Sequence, residues 1–188
     1  MLDTVLTALR EPERYAQSHA FANPPLADLA ALAGMATLGV GAYGAAMHAH
    51  AGVGAAALGL GAAVAAAGAT WTATIPSLYV LGSLNGSKLD LRGVALTTLT
   101  MVSFGGVAML ASVPVLWFFE VCLPYGWARL LVNLVTFAGV GMSMADVWVR
   151  SMRRVEGTRL LHLSFLCLFG AIGLEMFWVF GLFNLGDL

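Results

Sequence analysis

The sequence predicts an all-α fold, a polytopic transmembrane bundle of five helices, from three observations: a scarcity of charge, five long apolar stretches and a one-sided distribution of basic residues. Of 188 residues, 60% are hydrophobic and 10% charged, where an ordinary soluble domain carries roughly 25% charged residues. The mean hydropathy is +0.85. So few charges cannot coat a water-facing surface. A net charge of -1 leaves no basic face for nucleic acid, and the low polarity excludes a long disordered tail. Cys122 and Cys167, the two cysteines, make neither a disulfide framework nor a metal quartet.

Residues 1–26 form a cytoplasmic or interfacial segment ahead of a transmembrane domain over 27–188. Leu2, Val5, Leu6 and Leu9 fall at helical spacing on one face, with Asp3, Arg10, Glu11, Glu13 and Arg14 mostly elsewhere. That pattern predicts a short amphipathic helix at the membrane surface, with a solvated tail as the alternative. Asp3 and the polar stretch 10–19 are the wrong signals for a secretory leader. Pro24-Pro25 separates this segment from the first span.

A hydrocarbon core about 30 Å thick needs roughly 20 apolar residues in helical form. Five stretches qualify, near 28–48, 53–84, 93–117, 127–149 and 160–184. The second is too long for a straight span and contains Pro76, which predicts a kink or a short interfacial turn. Asn85-Gly86 marks its end, and Pro114 and Pro124 mark the exit of the third. Arg10, Arg14, Lys88, Arg92, Arg150, Arg153, Arg154 and Arg159, eight of the nine basic residues, fall on one side of this threading. Basic loops stay inside, so the N-terminus is expected in the cytoplasm and the C-terminus outside. Arg129 alone falls outside, in the same short loop as Glu120.

Residues 51–70 contain ten Ala and five Gly. Small residues recur at Ala57, Gly61, Ala65 and Ala69, and in the first span at Ala33, Thr37, Gly41 and Ala45. In lipid such faces let backbones approach closely, so the first two spans should form a tight hairpin. The fifth span is instead aromatic, with Phe165, Phe169, Phe177, Trp178, Phe180 and Phe183. These suit a lipid-facing or partner-facing surface, with Trp178 near the outer interface.

Ionisable residues within a span are costly and mark candidate sites. Asp146, His162 and Glu175 qualify. Asp146 is placed to pair with His162 across adjacent helices, or with Arg150 one turn along its own. Glu175 lies about eight residues, roughly 12 Å, from the end of its stretch, near the depth of Thr136. Asn133, Thr136, Ser143 and Asp146 share one face of the fourth span, a stripe that Glu175 can meet. Such a stripe serves either as interhelical hydrogen bonding, at about 0.6 kcal/mol per contact, or as a proton or ion path. The hydroxyls of Thr70, Thr72, Thr74 and Ser77 stand ready to satisfy carbonyls freed by Pro76. Thr97, Thr100 and Ser103 are candidate helix-to-helix bonds.

No catalytic constellation is found, and no cofactor or metal is expected. His48 and His50 belong to an outer loop and make a weak two-ligand set, whereas His19 and His162 fall at the inner face, so no bis-histidine haem pair is available. Gly82 to Lys88 approaches a phosphate loop but is one residue short before its second glycine, and Leu89 replaces the Ser/Thr.

Two segments carry a resemblance. Pro76-Ser77-Leu78-Tyr79-Val80-Leu81 with Leu84-Asn85-Gly86-Ser87-Lys88-Leu89, and Leu110-Ala111-Ser112-Val113-Pro114-Val115-Leu116-Trp117-Phe118-Phe119, resemble a family of small bacterial multi-span proteins of unassigned function. The threading is similar to the broader Yip1-type pattern. The resemblance implies membrane organisation or complex assembly. The expectation is a non-enzymatic scaffold or accessory subunit in a bacterial inner membrane, with the lipid bilayer and protein partners or further copies around it. A small ion- or proton-coupled channel using Glu175 and the stripe, and a membrane anchor of a redox complex, are the alternatives.

Overall fold

The structure, a computed structural model, describes residues 2–21, 24–123, 125–155 and 159–182. It is an all-α helical bundle, with no strand among the described residues. Two short helices, α1 (Leu2–Arg10) and α2 (Pro12–His19), precede α3 (Leu26–His48), α4 (Val53–Leu84), α5 (Leu91–Cys122), α6 (Gly126–Val155) and α7 (Arg159–Val179). A 3-10 turn at Ala49–Ala51 joins α3 to α4. Four helices, α3 to α6, are long and apolar enough to cross a membrane, and α7 is apolar over the shorter run Leu163–Val179.

Helix α3 is the hub, packed along α4 on one side and α5 on the other, because small residues let three backbones converge. A Cβ on Gly39 would overlap the carbonyl of Gly106, and one on Gly106 would come 2.7 Å from the Cα of Ala36. These two glycines are therefore a backbone-to-backbone crossing of α3 and α5. Gly44 meets α4 in the same way, where an added Cβ would lie 2.5 Å from the Gly59 carbonyl oxygen and overlap Ala63. The expected α3–α4 hairpin is thus present, but α4 is rotated from the expected face. Gly59, Ala63, Ala66, Ala67, Thr70 and Thr74 are buried, while Ala57, Gly61 and Ala65 are exposed. Ala and Gly run all round this helix, so spacing alone cannot select a face. The close approach at Gly44 and Gly59 does.

Helix α6 packs on α5, α7 packs on α4, and α6 and α7 touch each other little. Phe165 and Phe177, expected on an outer face, are in the core, with Phe165 3.9 Å from Trp148 and Phe177 4.8 Å from Phe137 between ring centroids. Trp178 and Phe180 are exposed. Phe183 lies outside the described residues.

Pro114 does not end the third span: α5 continues through it to Cys122. At 32 residues the helix is about 48 Å long, more than the core thickness. Among apolar neighbours a continuous helix with one missing donor costs less than an exposed break. Pro124 lies outside the described residues. Pro76 is likewise inside α4. The neighbouring hydroxyls of Thr70, Thr72, Thr74 and Ser77 donate to the carbonyls of Ala66, Gly68, Thr70 and Ala73, and so none of them takes the Thr72 carbonyl that Pro76 leaves free. Thr97 and Thr100 also donate four residues back and Ser103 three residues back, within α5 instead of across to a neighbour. A hydroxyl in an apolar helix takes the nearest carbonyl.

Asn85-Gly86 forms the expected turn, with Gly86 at φ 80° and the Asn85 side-chain amide donating to the Leu81 carbonyl at 2.7 Å. Asp90 then caps α5, its Oδ1 accepting from the Gly93 backbone N–H at 2.7 Å. Helices α1 and α2 dock on this end of the bundle, α2 mainly against α6, with Ala8, Tyr15, Ala16 and Ala20 buried. A Cβ on Gly93 would overlap the Ala20 carbonyl. The side chains of Leu2, Asp3 and Val5 lie outside the described residues.

Candidate functional site

Two features stand out: a buried polar cluster at the end of the bundle far from α1 and α2, and an elongated apolar cavity beneath it.

The cluster centres on Glu120, two residues before the end of α5 and buried at 8% exposure. Helix α6 runs back antiparallel and presents Arg129 and Asn133 to it. The Asn133 amide donates to Glu120 Oε1 at 3.3 Å and to the Arg129 carbonyl at 3.1 Å. Tyr43 of α3 donates its hydroxyl to Asn133 Oδ1 at 3.1 Å. The other Glu120 oxygen faces His50 Nδ1 at 3.4 Å and Arg129 Nη1 at 3.6 Å. These are separations for Coulomb attraction and longer than good hydrogen bonds. A buried carboxylate is tolerated when cations and donors surround it, and here the 3-10 turn and α6 supply them, with Tyr43 of α3 joined through Asn133. The cluster therefore ties α3, the 3-10 turn, α5 and α6 together at one end.

Of the residues singled out from the sequence, Asn133 and Thr136 belong to this region, Thr136 lying beside Tyr43. The Thr136 and Ser143 hydroxyls donate to the Val132 and Gly139 carbonyls of their own helix. Asp146 is exposed and pairs with Arg150 at 2.8 Å, and Arg150 also faces Glu13 of α2 at 3.5 Å. The His162 side chain lies outside the described residues. Glu175 is exposed on α7, and because that helix ends at Val179, the carboxylate lies about 6 Å from the helix end instead of 12 Å. No hydrogen bond or ion pair joins Glu175 to Asn133, Thr136, Ser143 or Asp146 among the described residues. His48 Nδ1 lies 3.1 Å from the Gly44 carbonyl, and Cys122 and Cys167 are free and exposed. Among the described residues no group of three His, Cys, Asp or Glu could hold a metal ion.

Sequence reasoning passed over Glu120 as a loop residue. The available signal was its position one helical end away from Arg129 and Asn133: antiparallel helices joined by a short turn bring such residues to the same depth.

The cavity is about 500 Å³, within the roughly 300–1,000 Å³ of small-molecule sites. It lies in the seam between α6 and α7, which meet at its two ends through the ring pairs Phe137–Phe177 and Trp148–Phe165. Met101, Met109 and Val140 form its floor, and Phe137 and Phe177 lie toward the polar cluster, with Tyr43 edge-on to Phe137 at 5.8 Å between centroids. The Thr70 hydroxyl on its wall is already bonded to the Ala66 carbonyl.

No family model, curated protein or solved structure matches this chain.

Proposed function

We propose that this chain is a non-enzymatic, five-span subunit or scaffold of a larger assembly in a bacterial inner membrane, with its N-terminus in the cytoplasm and its C-terminus outside. The four apolar helices α3 to α6 support membrane residence, and α7 makes the fifth span of the proposed threading. The orientation rests on the basic residues, since Arg10, Arg14, Lys88, Arg92, Arg150 and Arg153 all belong to the end of the bundle that carries α1 and α2. The Yip1-type organisation belongs to the same proposal and rests on the two segments around Pro76 and Pro114.

One observation carries the assembly reading. The outward face of α4 is built mostly of small residues with no helix against it: Ala57, Gly61 and Ala65 are exposed around the bulky side chain of Leu58, and an added Cβ at Gly54, Gly61 or Gly68 would meet nothing within 4 Å. Lipid gains little from so small-sided a face, whereas another helix gains close dispersion contact along it and can pack around Leu58. Purification from the native membrane in mild detergent, with mass spectrometry of the chains that accompany it, tests the proposal. The expected result is a complex or homo-oligomer that Gly61→Leu disperses while the chain itself stays folded. A monodisperse monomer from the native membrane would defeat the reading.

A further inference from the structure

We infer that the seam between α6 and α7 is a binding slot for one alkyl chain of a membrane lipid. The inference is independent of the assembly reading and of which side of the membrane each end faces.

The shape comes first. The slot runs along the bundle axis, lined by α6 from Leu134 to Ala145 and by α7 from Leu166 to Phe177, about 16 Å of each helix. Its mouth is open sideways, because Leu134, Ala138 and Gly141 on one rim and Gly170 and Leu174 on the other are exposed. Glycine widens both rims: a Cβ at Gly141 or Gly170 would meet nothing within 4 Å. An elongated slot parallel to the spans, opening laterally into hydrocarbon, has the form of an extended chain.

The chemistry then selects the occupant. Water is a poor filling, since it needs two to four polar partners and the wall side chains offer only the Trp71 indole N–H and the Thr70 hydroxyl, the latter already bonded within its helix. Haem ligation needs a His, Cys or Tyr, alone or beside a Met, and the lining contains none of the three; a quinone needs donors for its carbonyls, and the lining offers one side-chain N–H, the indole of Trp71, and no charged group. A void left empty would forfeit dispersion contacts along its whole lining. The surrounding solvent supplies the filling that meets these conditions, a featureless hydrocarbon chain. The sulfurs of Met101, Met109 and Met144 on the lining add soft, adaptable contacts.

The test uses the full chain with its methionines replaced biosynthetically by the diazirine analogue photo-methionine, in vesicles of phosphatidylethanolamine and phosphatidylglycerol. Met101 at 1% and Met109 at 6% exposure are reached only through the slot, whereas Met142 at 69% exposure samples lipid on the outside. After illumination and digestion, the expected result is a phospholipid adduct on Met101 and Met109 as well as on Met142. Gly170→Leu fills the slot and should abolish the first two while sparing the third. If Gly170→Leu also removes the Met142 adduct, and so has disturbed the fold, Gly141→Leu from the opposite rim decides instead. Adducts on Met142 alone, slot methionines joined to a second copy or to another polypeptide, or Met101 adducts that survive both substitutions would each overturn the assignment.

Discussion

Glu120 and Asn133 are joined across the α5–α6 turn by a 3.3 Å hydrogen bond from amide to carboxylate, and the same Asn133 accepts from Tyr43. One amide thus connects α3 to the buried carboxylate. Asn133→Leu should lower stability by about 1–3 kcal/mol, because it strips partners from two buried groups at once. Glu120→Gln keeps an acceptor for Asn133 but loses the attraction of Arg129, so the loss should be smaller. Thermal melting of the purified chain in detergent compares the two, and equal melting of wild type and Asn133→Leu would contradict the tie.

The crossing of Gly39 and Gly106 leaves no room for a side chain. Gly106→Leu should cost at least about 3 kcal/mol, the upper range for overpacking, since the obstacle is backbone that cannot rotate away. Gly34, on the same helix as Gly39, faces open space. Gly34→Ala should be neutral or stabilising by up to about 1 kcal/mol from helix propensity. The same melts, run side by side, read both.

Asp90 holds the first turn of α5 through its bond to the Gly93 backbone. Asp90→Ala should destabilise by about 1 kcal/mol, and Asp90→Asn, which keeps the acceptor, by much less. Hydrogen exchange at Gly93 reports the loss locally.

Burial pushes the Tyr15 hydroxyl up to about 12 from 10.0, with the Asp28 carboxylate adding to the rise. The folded chain therefore holds this proton where the unfolded chain has released it. Docking of α2 keeps its full strength below pH 10 and weakens as pH rises from 10 to 12. The hydroxyl has no hydrogen-bond partner among the described residues, so Tyr15→Phe should leave neutral-pH stability nearly unchanged and remove Tyr15's part of the alkaline loss. Limited proteolysis near 20–25 across that pH range follows the docking, and an unchanged alkaline profile in Tyr15→Phe would exclude Tyr15 as its source.

Much of the helical architecture is legible in the sequence because apolar length and turn residues act locally. The ends of α4 at Val53 and Leu84 are set by Gly52 and by Asn85-Gly86. The rotation of α4 is not legible, since Ala and Gly encircle it and the choice depends on Gly44 of another helix. Nor is the fate of Pro114, which proline chemistry alone would place at an exit and which the apolar surroundings keep inside α5. Glu120 was hidden for a related reason: a charge near a span end looks solvated until the helices that cover it are in place.

The partner of α7 lies far back along the chain. The methyl of Thr70 lies 3.7 Å from where a Cβ on Gly173 would stand, while the immediately preceding helix, α6, is met chiefly through the ring pairs Trp148–Phe165 and Phe137–Phe177. The bundle therefore cannot close as it emerges: α3, α4, α5 and α6 can settle pairwise in order, but the last helix must travel past its neighbour to find α4. Until α7 docks, that wall of the bundle stays open, and Trp148 and Phe137 of α6 wait for the rings of Phe165 and Phe177 that cover them.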